Sequence, residues 1–128
     1  MSDAHEGMSV THRRYVPAYA AHYGGELVDG AYVLSLFGDV ATELSIRADG
    51  DEGLLAGYES VQFLAPVRAG DVVEVTATVT RVGNRSRQLR FDAAVCCRAA
   101  PARGASAADV LEPPLPVATA VGTVVVPG

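Results

Sequence analysis

Two hydrophobic periods alternate along the chain, and the change from one to the other divides it into elements. Residues 72–82, VVEVTATVTRV, are β-branched at almost every position, the mark of a strand with one buried face. Residues 11–16 and 54–65 carry further strand patterns, the first ended by Pro17 and the second running into FLAPV. RAGD at 68–71 is a turn, GNRS at 83–86 is a hairpin turn, and residues 87–98 run on as the partner strand. PVATAVGTVVV closes the chain as a last strand. Between the first two strands the period lengthens. Residues 25–47 repeat their apolar positions at helical spacing and predict one long helix, stopped by the turn residues DGDEG at 49–53. Residues 99–114, AAPARGASAADVLEPP, predict a long loop of low complexity. Residues 1–10 read as a flexible leader, with Met8 as an alternative start, and residues 11–128 as a single domain without internal repeats.

The element order is thus one strand, one long helix and four strands. Strands joined by short hairpins pair antiparallel. A single helix on one face of such a sheet is an α+β arrangement.

Placed at 100° steps, the predicted helix has a face of small residues suited to close packing on a sheet: Gly30, Ala31, Leu34, Gly38, Ala41 and Ser45. The opposite arc carries Asp29, Tyr32, Leu36, Asp39 and Glu43. These acids cannot share one site, because Asp29 and Glu43 stand about 21 Å apart along the axis. Asp39 and Glu43 read as a polar stripe at solvent or at a subunit seam. Asp29 is placed at the helix start, where an anion is favoured by the helix dipole. First-turn stabilisation and catalysis both fit it.

The pair Gly24-Gly25 precedes this start. Unpaired N–H groups at a helix N-terminus, approached closely past glycine, suit a carbonyl oxygen on which charge builds. His22, two residues before Gly24, is an acid–base candidate, although a loop histidine is more often structural. Glu59 alternates with Val61 and Phe63. If their shared face is the core, Glu59 is a buried acid with a raised pKa; if the strand is a wet edge, it carries no role.

Composition narrows the classes. At 128 residues and 49% apolar content the chain is long enough for a real core. A net charge of −5 argues against nucleic acid as a partner. All ten cationic residues are arginines, so Schiff-base chemistry through lysine is excluded. No stretch approaches a membrane span, and the first residues lack a signal-peptide pattern, which together point to the cytoplasm. Cys96 and Cys97 are adjacent in a strand, point to opposite faces and read as small packing residues in a reducing compartment.

The stretches HYGGELVDGAYVLSLFGDVATELSIRADGDEG, YESVQFLAPVRAGD and RVGNRSRQLRF, spread over residues 12–98, resemble the hotdog-fold 3-aminobutyryl-CoA ammonia-lyase family and its β-alanyl-CoA relatives. The resemblance implies a long central helix wrapped by an antiparallel sheet of about five strands. It implies chemistry on acyl-CoA thioesters at the interface of a homodimer or dimer-based oligomer. No metal or cofactor is implied beyond the coenzyme A of the substrate itself. Asp29, His22 and Glu59 would then be the acid–base groups. Gly24, Gly25 and Tyr32 would line the substrate site, and the turn bearing Asn84, Arg85 and Arg87 would meet the coenzyme A phosphates. One departure is informative. Related thioesterases carry a catalytic acid about seven residues after the second glycine, and that position here is Tyr32. The departure favours a lyase over the alternatives, a hotdog thioesterase or a non-catalytic acyl-CoA binding protein.

Overall fold

The computed structural model describes residues 5–127. Its strands are β1 (Ser9–Tyr15), β2 (Ala21–Tyr23), β3 (Leu27–Val28), β4 (Leu54–Phe63), β5 (Val72–Val82), β6 (Ser86–Ala99) and β7 (Ala108–Val125), with one helix, α1 (Gly30–Asp49). The five long strands form an antiparallel sheet in the order β1-β5-β6-β7-β4, and β2 pairs with β3 in a separate two-stranded ribbon. This is the hotdog arrangement, with α1 lying along one face of the curved sheet. No helix among the described residues is long and apolar enough to cross a membrane.

Alternation makes the core. Val73, Val75, Ala77 and Val79 of β5 and Leu89, Phe91, Ala93 and Val95 of β6 point at the helix and are buried. From α1 they meet Val33, Leu36, Phe37, Val40, Ala41 and Leu44, with the Phe37 and Phe91 rings stacked at 4.9 Å. The buried face of the helix therefore differs from the expected one. It is built from large apolar residues, while Ala31 is exposed and Gly38 half-buried. Burying Phe37 and Leu44 removes far more apolar surface from water than burying glycine and alanine, and that difference sets the rotation of the helix.

Four boundaries differ from expectation. The helix begins at Gly30 rather than residue 25, with Asp29 as its N-cap; the Asp29 carboxylate accepts from the Tyr32 N–H at 3.0 Å. The helix ends at Gly50, which adopts the left-handed conformation glycine favours there, φ 67°. The expected loop at 99–114 is half strand: residues 100–107 turn, and β7 then returns against β6, pairing Ala108 with Ala99. Of the expected leader, residues 1–4 lie outside the described residues. Gly7 and Met8 are tied to Val79 by backbone hydrogen bonds, and Ser9 and Val10 belong to β1.

Two clusters of charged and polar side chains hold corners of the fold. Asp71, fully buried in the turn before β5, accepts from Arg98 at 2.9 and 3.0 Å and from the Arg68 N–H at 2.8 Å. Beneath β1, His12 and Glu43 are 2.7 Å apart, and Arg47 also donates to Glu43 at 2.8 Å. These two partners hold the Glu43 carboxyl below its usual range. Glu43 is thus an internal tie between helix and sheet, whereas Asp39 is exposed.

Candidate active site

The start of α1 carries the densest chemistry in the chain. His22, on β2, reaches across the ribbon so that Nε2 stands 2.5 Å from Oδ2 of Asp29. The carboxyl of Asp29 is held below its usual range, first by this hydrogen bond and then by the Tyr32 N–H, against a smaller opposing effect of burial. Asp29 is therefore an ionised acceptor to which Nε2 of His22 donates, and Nδ1 of the same ring is not engaged by that contact. The His22 side chain is 58% exposed, open to an incoming molecule.

Beside the pair lies an apolar cleft of about 320 Å³, open to solvent on one side. It is lined by Val28, Val33, Val67 and Val117, by Phe63 to Pro66, and by Asp29 and Gly30. The Asp29 cap engages only the Tyr32 N–H. The N–H groups of Gly30 and Ala31 fall outside the helical ladder, as at any helix start, and point toward the end where an oxyanion is favoured. One turn on, Tyr32 is half-buried and burial pushes its phenol up.

Gly24 and Gly25 do not occupy the helix N-terminus as expected. They form a tight 3-10 turn between β2 and β3, in which Gly25 has φ 73° and Glu26 φ 61°. A side chain at residue 25 would strain this turn, so Gly25 shapes the ribbon that carries His22.

Glu59 is not brought to this site within one chain. Bulges at Leu55/Gly57 and Tyr58/Ser60 break the alternation of β4. Tyr58 and Val61 turn to the core, and Glu59 turns to the outer face, where it accepts from Gln88 at 2.9 Å. It is exposed, so of the two readings left open by the sequence the buried acid sharing a core face with Val61 is not the one the fold adopts.

The turn at the far end separates its two arginines. Arg87 is bound through Nε and Nη2 to both carboxylate oxygens of Asp49 and through Nη1 to the carbonyls of Gly83 and Ser86. Both partners are nearly buried, at 12% and 11% exposure. Arg87 is a clamp between helix end and turn, and its donors are largely committed. Arg85 and Asn84 are exposed on the rim of a second cleft, with Asp49, Asp51 and Val126. The twenty residues of α1 separate this turn from the His22–Asp29 pair by about 30 Å. The partner of Arg87 was not legible in the sequence, since Asp49 there is only part of a turn signal.

A pocket-bearing hotdog domain defines the class, and comparison with known proteins refines it. The profile of the Thioesterase superfamily matches residues 25–93. A 3-aminobutyryl-CoA ammonia lyase from Acetoanaerobium sticklandii is 54% identical over 110 residues, covering 86% of this chain and 87% of that protein. The solved β-alanyl-CoA:ammonia lyase from Clostridium propionicum superposes with a TM-score of 0.87 at 36% identity, over 94% of this chain and 86% of that one. An acyl-CoA hydrolase from Staphylococcus aureus shares the fold at a TM-score of 0.73 but only 17% identity, over 94% and 63% of the two chains. The chain belongs to the hotdog Thioesterase superfamily and, within it, to the family of the two ammonia lyases.

Proposed function

We propose that the protein is a carbon–nitrogen lyase that removes ammonia from, or adds it to, the β-carbon of a short 3-aminoacyl-CoA. The observation that carries this reading is the His22–Asp29 pair, whose Asp29 also lines the cleft at the start of α1. The kinship with two ammonia lyases supports it.

In this reading the thioester carbonyl oxygen accepts from the backbone N–H groups at Gly30 and Ala31, which stabilise the enolate as charge moves onto it. Nδ1 of His22 takes the α-proton. Asp29, kept ionised, holds the imidazole in the right tautomer and stabilises the imidazolium that forms. The electron pair of the broken C–H bond becomes the new C=C bond. The C–N pair leaves with nitrogen, so a substrate ammonium departs as neutral ammonia. Addition runs the same steps backwards, with His22 returning its proton to the α-carbon. Asp29 is thereby an orienting group rather than the base.

The acyl-CoA nucleotide is bound by Arg85 and Asn84 of a second copy. One chain places this turn about 30 Å from its own His22, and a two-fold dimer in which the helices run in opposite directions closes that gap. The open edge of β4 is the surface such a dimer would use. Glu59 joins the chemistry only if another copy brings it near. The reaction belongs in the cytoplasm, where coenzyme A thioesters are available.

The test is crotonyl-CoA with ammonia, followed by mass spectrometry and by thiol titration. Formation of the ammonia adduct without free thiol is expected. Free thiol without adduct favours hydrolysis, and binding with neither product favours a non-catalytic acyl-CoA binding protein.

A further inference from the structure

One side chain sits against the very start of α1 and lines the cleft there. Phe63, the last residue of β4, lays its ring directly on the backbone of Gly30. A Cβ built at Gly30 would stand 2.5 Å from Cζ and 2.8 Å from Cε1 of that ring. Only glycine permits this approach. The ring is nevertheless 55% exposed, so it contributes little to the core. Its backbone is fixed from below, because the N–H groups of Leu64 and Ala65 both bond to the Val117 carbonyl, at 2.8 and 3.4 Å. A pinned backbone thus carries a large, half-solvated ring, seated against the first helical residue and next to Asp29. The remaining apolar lining is aliphatic, from Val28, Val33, Leu64, Ala65, Pro66, Val67 and Val117, so Phe63 supplies its one aromatic ring. At about 320 Å³ the space is near the lower limit for a small-molecule site.

Resting on the acyl-CoA reading above, we propose that Phe63, seated on Gly30, sets acyl-chain length: its ring ends the cleft beside Asp29 and restricts the substrate to short acyl groups. The ring takes no part in proton transfer. Its removal therefore changes which acyl chains fit, while the reacting groups stay in place.

The experiment is calorimetric titration of butyryl-, hexanoyl- and octanoyl-CoA into the wild type, Phe63→Ala and Phe63→Leu. Amination of the enoyl-CoAs of the same three lengths is measured in parallel. In the wild type affinity should fall with length. In Phe63→Ala the octanoyl-to-butyryl affinity ratio should rise about tenfold or more, since a methylene admitted to or refused by an apolar pocket is worth roughly that much. Phe63→Leu should lie between, and it carries the test if the alanine variant fails to fold. A ratio unchanged from wild type in the folded variant overturns the proposal. A changed ratio with no amination by any of the proteins leaves the length limit standing and overturns the lyase reading. Amination by the wild type with an unchanged ratio does the reverse. Absence of acyl-CoA binding at every length overturns both.

Discussion

Arg87→Ala distinguishes a clamp from a phosphate ligand. The substitution deletes the bidentate contact to Asp49 and two hydrogen bonds to the carbonyls of Gly83 and Ser86. The carbonyl bonds are worth about 1 kcal/mol together once water replaces the donors. The larger loss is Asp49, an 11% exposed carboxylate left without its counter-charge, which costs about 2 kcal/mol because solvent reaches it only in part. The sum of about 3 kcal/mol corresponds to a fall in Tm of roughly 12 °C at about 4 °C per kcal/mol for a chain of this length. Lysine should not rescue it, since one ammonium cannot serve a carboxylate fork and two carbonyls together. Thermal unfolding followed by circular dichroism measures the loss. A double-mutant cycle with Asp49→Ala should return a coupling of about 2 kcal/mol. By contrast, Arg85→Ala should leave Tm within about 2 °C, as surface substitutions do, and raise KM for the acyl-CoA with kcat little changed. A stable Arg87→Ala variant with a raised KM would refute the reasoning and return Arg87 to the ligand.

Further outcomes follow from the helix start and the strand edge. Asp29→Asn keeps the cap but loses the charge that orients His22, so kcat for ammonia addition should fall by about 10²-fold or more, whereas near-normal turnover would move the search to Glu59→Gln. Because the Asp29 pKa is lowered in the folded state, the stability it supplies is present above the ordinary carboxylate range and lost as pH falls through the depressed value. Subtracting the Asp29→Asn pH–stability curve from the wild-type curve should therefore give a difference that shrinks only on the acid side, and a difference independent of pH would contradict the hydrogen-bonded pair. Tyr32→Asp should introduce slow thioester hydrolysis, read as free thiol. Light scattering at micromolar concentration should return a dimer or a multiple of it; a monomer would remove the shared site.

Much of the fold was legible because the strands alternate strictly. The β5–β6 hairpin shows inward Val73, Val75 and Leu89, Phe91 against outward threonine and charged residues. Where the pattern misled, a specific force overrode it. Pro113 and Pro114 helped suggest a loop, and they fall in an irregular stretch of β7 that lacks β6 partners, between Val110, paired with Cys97, and Leu115, paired with Val95; β4 joins only from Ala118 onward. Where no ladder bond is made, a missing N–H costs nothing. The bulge at Tyr58/Ser60 turned Glu59 outward, and a bulge has no signature in period-two reading. At the helix start, the pairing of His22 with Asp29 was only partly visible. Both residues stood out, but their contact depends on the β2–β3 ribbon folding back, and that fold rests on positive φ at Gly25 and Glu26.

The bare edge of β4 has a consequence for how the protein survives in a crowded cell. Ten residues, Leu54–Phe63, offer backbone donors and acceptors on one side, with no lysine or proline among them to discourage a stray strand. Leu54 and Phe63, at its two ends, are 72% and 55% exposed. Two bulges twist the edge and are its main guard against indiscriminate pairing. An edge left open in this way pairs with whichever extended segment reaches it, in register or out of it. Substitutions that straighten the bulges at Ala56 or Glu59 would remove that guard, and the variants would be lost as insoluble material before any deficit in turnover could be measured.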